Sequence, residues 1–198
     1  MFRRRLPSAT LLLTCGATLA AATGLLAQQV RSANVAETPR ASVGLVDVAG
    51  TMRLPLDYRA AYQFLGTWAV ASDTVPGSKE MHTVYVSPGA IDEYRANGRF
   101  KNGTVLVKEV FNAESEDMTT GRVSRAAGLA GWFMMVKDDR GSYPGNPLWG
   151  DGWGWAWFDK GSPDKTKTLD YRQECLGCHT PAQATDWLYV KGYPVLAR

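Results

Sequence analysis

The sequence predicts an α+β fold: an antiparallel β-sheet meander with packed helices that closes on a C-terminal helix. Three observations point there. Segments of strand composition follow one another, most of them without helical crossovers of βαβ length between. Two stretches carry helical spacing instead. The last two cysteines stand three positions apart close to the C-terminus, the spacing of one helical turn. At 198 residues and 45% hydrophobic content, the chain has the size and composition of one globular domain.

Residues 1–27 read as a secretory signal peptide, with Arg3 to Arg5 at the start, an apolar stretch from Leu11 to Leu26, and small residues at Ala20 to Ala22 and Ala27. The competing reading is an uncleaved anchor, but the apolar run is short of the roughly 20 residues a spanning helix needs. Cys15 is read as leader filler, because Thr14 is bulky for a lipid-attachment site. Residues 28–47 are polar and Ala-rich and read as a flexible N-terminal segment. The domain is expected over 48–198.

From Asp57 as N-cap, Tyr58, Ala61, Phe64/Leu65 and Trp68 fall at helical spacing. MHTVYV (81–86) reads as a strand. Ser87 and Pro88 read as N-cap and first position of a helix, AIDEYRAN, that stops at Gly98. Asn102-Gly103 makes a turn into the strand TVLVKEVF (104–111), followed by an acidic loop around Glu114, Glu116 and Asp117. WFMMVKD (132–138) and WGWAWF (153–158) are further strands, separated by Gly and Pro.

The charge balance narrows the partners. Of 22 basic residues, three lie in the leader, which leaves 19 against 19 acidic in the body. A neutral body without a basic stripe gives little counterion-release drive, so nucleic acid and anionic lipid surfaces are dropped.

Cys175-Leu176-Gly177-Cys178-His179 matches the c-type haem attachment pattern, in which two thiols add to the haem vinyl groups and the next histidine ligates the iron. A thioredoxin-like pair would sit in a βαβ unit, and none surrounds this motif. Zinc needs four ligands, and the mature chain offers two thiols and two imidazoles. A local disulfide leaves His179 unexplained. One covalent haem c is therefore the expected cofactor, with Cys175, Cys178 and His179 binding it and His179 as axial ligand. The sixth position is open to His82 or to Met52, Met81, Met118, Met134 or Met135, or to no protein group at all.

Strand alternation sorts the remaining candidates. Lys108 shares a face with Leu106 and Val110, and Glu109 one with Val105, Val107 and Phe111. Lys108 is either an edge lysine snorkelling to water or a lysine aimed at the cofactor, where desolvation would expose a neutral, nucleophilic amine. His82 shares its face with Val84 and Val86, as a hydrogen-bonded pocket-rim histidine rather than an iron ligand. Phe133 and Met135 share one face of their strand.

HTVYVSP (82–88), NGTVLVKE (102–109), MVKD (135–138), ECLGCH (174–179) and TDWLYVKGYPVL (185–196) together resemble the cytochrome P-460 and cytochrome c′-beta family, over about Leu54 to Arg198. The resemblance implies a small β-rich α+β fold, a homodimer, and one covalent haem whose iron is five-coordinate through the motif histidine. In the P-460 enzymes, which oxidise hydroxylamine, a strand lysine is also cross-linked to the haem, and Lys108 stands at that position. Two features depart from the enzymes: Phe133 stands where they carry a distal carboxylate, and His82 where they carry an arginine. A phenylalanine over the iron is what the gas-binding c′-beta members use.

The expectation is thus an exported, periplasmic mono-haem c-type cytochrome that binds or oxidises small nitrogen species, hydroxylamine or NO, and transfers electrons to a redox partner protein. Its rivals are NO binding without turnover and a plain six-coordinate electron carrier.

Overall fold

A computed structural model describes residues 42–198. The expected signal peptide (1–27) and residues 28–41 of the expected flexible segment lie outside the described residues. Val46 bridges to Met52, and the turn between them is closed by Asp47, whose Oδ1 accepts from the Ala49 and Thr51 amides, both at 2.9 Å.

The fold is α+β, as its composition implies. Helix α1 (Tyr58–Ala61) precedes β1 (Gln63–Ala71) and β2 (Ser78–Val86). Helix α2 (Ala90–Asn97) leads to β3 (Val105–Met118), β4 (Gly121–Lys137), β5 (Trp149–Gly150) and β6 (Trp153–Asp159). One-turn helices α3 (Tyr171–Glu174) and α4 (Leu176–His179) then give way to 3₁₀ turns at Thr180–Thr185, Val190–Gly192 and Pro194–Leu196. The six strands form one sheet in the order β1-β2-β3-β4-β6-β5, every neighbouring pair antiparallel. The short β1–β2, β3–β4 and β5–β6 links hold their strands antiparallel, while the longer β2–β3 link carries α2 and still returns its strand antiparallel.

Three local expectations are corrected. The helix from Asp57 lasts one turn, and residues 63–71 are a strand paired with β2 from Gln63↔Val86 to Ala71↔Ser78. Phe64, Thr67, Trp68 and Val70 favour a pleated surface, and Gly66 approaches the Tyr193 ring so closely that a Cβ would lie 2.8 Å from it. The available ladder wins over the helical spacing. Ser87 and Pro88 do not start α2. The Ser87 hydroxyl is buried and accepts from the Val105 amide at 3.1 Å, while Gly89 in the left-handed region, at φ 80°, precedes the helix. Gly98 does end it, at φ 73° with its N–H on Tyr94 O at 2.7 Å. The acidic stretch 114–117 is no loop. It continues β3 as a ribbon with β4, where Glu114 faces Arg125 and Asp117 faces Arg122 in ion pairs of 2.6 and 2.8 Å. Cross-strand opposite charges let a polar sequence remain extended.

Both sheet faces are covered. On one, Val105, Val107, Met134 and Phe158 pack against Met52 and Tyr58. On the other, Val84, Leu106, Met135 and Trp155 meet the C-terminal segment through Tyr171, Trp187 and Leu196. Each strand sends alternate residues to each face, so the sheet separates two cores.

Candidate functional site: a cleft between sheet and C-terminal segment

The second face does not close completely on the C-terminal segment. A cleft of about 490 Å³ remains between them. Its sheet wall is made by His82 and Val84 of β2, Leu106 and Lys108 of β3, and Phe133 and Met135 of β4. Its other wall carries Cys175, Cys178, His179, Leu188, Tyr189 and Tyr193. The six residues singled out from sequence, Lys108, His82, Phe133, Cys175, Cys178 and His179, all line this one cleft.

The register explains the sheet wall. Lys108 is opposite Val84 on one side and Phe133 on the other, and a side chain opposite another across antiparallel strands shares its face. The Lys108 ammonium nitrogen lies 4.4 Å from the Phe133 ring centroid, a cation–π arrangement. Burial in the apolar cleft pulls the Lys108 pKa below the ordinary lysine value, against a weaker opposing pull that includes the Glu80 carboxylate. Lys108 is not a surface lysine.

His82 Nε2 is 2.9 Å from Glu80 Oε2. Glu80 stands two positions earlier on the same strand and therefore on the same face, a relation that alternation alone makes visible. Burial dominates and lowers the His82 pKa, with the Glu80 hydrogen bond opposing, so the imidazole is neutral at pH 7.

Across the cleft, Asp170 caps α3 by accepting from the Arg172 amide at 2.9 Å, and Cys175 sits at the α3–α4 junction. Both thiols are free, and burial above all pushes the Cys175 thiol up to about 11, which keeps it protonated. The expected single attachment helix is in fact two one-turn helices. Cys178 and His179 still follow Cys175 through one helical turn, and the Tyr189 hydroxyl donates to Cys178 O at 2.6 Å. His179 Nδ1 lies 2.7 Å from Trp187 O and, as the donor to that carbonyl, leaves Nε2 free. Burial lowers the His179 pKa, holding the ring in the neutral, ligand-competent form. Trp155 fixes the ring from the sheet side, edge-on at 4.9 Å between centroids.

This donor set fits haem. Two unpaired thiols, a neutral imidazole with its second nitrogen already oriented, and an apolar opposite wall surround a cleft within the range of about 300–1,000 Å³ typical of ligand sites. Among the described residues, no group of three or more His, Cys, Asp or Glu side chains could hold a bare metal ion.

Pairings that sequence reasoning did not supply complete the picture. Glu109 finds its partners on the far face, where the Tyr58 hydroxyl donates to its carboxylate and Arg59 Nε lies 2.5 Å away. Asp186 and Lys137 form a buried pair at 2.8 Å beside the loop that carries the Trp187 carbonyl.

An antiparallel sheet that closes one face over a Cys-x-x-Cys-His segment, with an apolar cleft between, defines a β-sheet cytochrome rather than a helical-bundle one. The model of the family described as Cytochrome P460 matches residues 55–190, and the chain belongs to that family. It is therefore a haem-binding cytochrome. No curated protein matches the chain.

Proposed function

We propose that the protein is an exported, periplasmic mono-haem c-type cytochrome that binds or oxidises small nitrogen species and passes the electrons to a redox partner protein. Cys175 and Cys178 hold the haem covalently, and His179 Nε2 ligates its iron. The observation that carries this reading is the shared cleft: the attachment motif forms one wall, and Phe133, Lys108 and His82 face it from the sheet. When bound, the haem supplies a redox-active iron with an exchangeable position.

The groups opposite the motif support an open sixth position. His82 is engaged by Glu80 through one ring nitrogen. Met52 belongs to the core on the far face, Met134 packs in that core and borders the cleft, Met118 is exposed at the end of the β3–β4 ribbon, and Met135 is the methionine that lines the cleft from the near face. Phe133 and Met135 shape an apolar wall suited to an uncharged ligand such as NO or NH2OH, and disfavour anions.

Oxidising hydroxylamine also releases protons, and Phe133 supplies no base for them. His82 is neutral, and its Glu80 partner has a side chain 41% exposed. That pair offers an acceptor inside the cleft with an exit to water, which favours turnover over trapping. Lys108, desolvated and facing the same space, is the group for a haem cross-link. NO binding without turnover is the second reading, supported by the missing carboxylate at Phe133. The assembly that accompanies either reading is a homodimer.

Intact mass and the ferrous absorption spectrum of exported protein test the proposal. One porphyrin added to the mass and a high-spin spectrum support it, and a red-shifted Soret band adds the Lys108 link. A colourless chain sinks the cofactor assignment, and sharp low-spin α and β bands without added ligand leave a six-coordinate carrier.

A further inference from the structure

We infer that the buried Lys137–Asp186 ion pair is a positioning device for His179: it clamps the loop whose Trp187 carbonyl orients the imidazole. This rests on reading His179 as the axial ligand.

Three observations converge on that loop. Asp186 and Trp187 are consecutive non-glycine residues in the left-handed region, at φ 58° and 68°, and elsewhere in the described residues only Asp151 shares that conformation. A bulky residue such as Trp rarely adopts it, and such strain persists only where the surroundings over-determine the backbone. Asp186 is over-determined. Its Oδ1 accepts from Lys137 Nζ at 2.8 Å and its Oδ2 from the Phe100 amide at 2.8 Å. The two charged side chains are 2% and 1% exposed, so neither can relax toward water.

The third observation is what the strained loop presents. The left-handed turn follows the 3₁₀ turn at Thr180–Thr185, and Trp187 N–H is bonded back to Ala182 O at 2.9 Å. This geometry brings Trp187 O to 2.7 Å from His179 Nδ1. A hydrogen bond at that nitrogen fixes the tautomer and ring plane of a ligating histidine and raises its basicity. Lys137 is the last residue of β4, the strand that carries Phe133 to the opposite wall. One strand therefore ties the sheet wall of the cleft to the loop behind the axial imidazole.

Asp186 and Lys137 do not touch the reacting atoms, and their effect is on the His179 donor. Lys137 also pairs with Asp139 at 2.7 Å, a residue off the loop. That provides the control. The iron–imidazole stretching frequency of the ferrous, haem-loaded protein, by resonance Raman, and its reduction potential are read for the wild type and three variants. Asp186→Ala removes both hydrogen bonds and the side chain that tolerates the left-handed backbone. It should lower the stretching frequency and raise the potential. Asp186→Asn keeps an acceptor and the tolerant backbone but loses the charge, and should shift both values in the same direction by less. Asp139→Asn should move neither.

Unchanged frequency and potential in Asp186→Asn and Asp186→Ala overturn the inference, as does an equal shift in Asp139→Asn. Should Asp186→Ala fail to mature, the comparison of Asp186→Asn with Asp139→Asn decides alone. A wild type without haem by mass, or an iron–imidazole mode that survives His179→Ala, overturns the axial-ligand reading itself and this inference with it.

Discussion

Tyr58→Phe removes one hydroxyl from the sheet face opposite the cleft, and the structure sets the size of the loss. That hydroxyl donates to the Glu109 carboxylate and accepts from Trp132 Nε1 at 2.9 Å. Glu109 is 2% exposed, so water cannot replace the lost donor. A hydrogen bond to a charged group contributes about 1.5–3 kcal/mol, and the stranded indole adds roughly 1 kcal/mol. Arg59 remains on Glu109 and offsets part of this. The expected loss is about 2–4 kcal/mol, or on the order of 10 °C in Tm for a domain of this size. Urea unfolding of the haem-loaded protein, followed by circular dichroism, measures it through the midpoint at unchanged slope. The ferrous spectrum should not change, because alternation keeps Glu109 and Lys108 on opposite faces of β3. A loss below about 0.5 kcal/mol would refute the account of Glu109 as a buried charge held by its partners. A shifted spectrum would refute the separation of the two faces.

Lys108→Ala should retain haem by intact mass and return any anomalous Soret band to an ordinary c-type position; an unaltered anomalous band removes the lysine from the chromophore. Phe133→Glu puts a carboxylate where Lys108 already lies 4.4 Å from the ring, and hydroxylamine turnover should rise toward the roughly 10²–10⁴-fold that a placed base contributes. No gain in steady-state assays would show that proton transfer does not limit this site. His82 has its pKa lowered by burial from 6.5, so below pH 6.5 the unfolded chain takes up the proton before the folded one. Its contribution to stability is complete above that value and is lost as pH falls through the folded pKa. The urea midpoint of the haem-loaded protein should therefore drop on acidification, and His82→Gln should remove that part of the drop; an identical pH profile in the variant would count against a buried, neutral His82.

The attachment motif and the strand faces were legible because both are local. Cys175, Cys178 and His179 are specified by spacing along one turn, and period-two alternation assigns His82, Lys108 and Phe133 to one side of their strands without reference to the rest of the chain. Helical spacing misleads at 57–68, where the apolar positions fit a helix and a strand alike and the ladder with β2 decides. The acidic stretch 114–117 reads as a loop until its arginine partners, Arg122 and Arg125, are known to lie across the ribbon.

What the sequence by itself determined was the class of the fold, the haem motif and which side chains could share a face. Only the tertiary structure decided that those faces meet in one cleft, that Lys108 is desolvated rather than snorkelling, that Glu80 holds His82, and that Lys137 and Asp186 close behind His179. Lys137 and Asp186 are 49 positions apart. Desolvation and charge pairing depend on what lies within a few ångströms in space, and no periodicity along the chain encodes that distance.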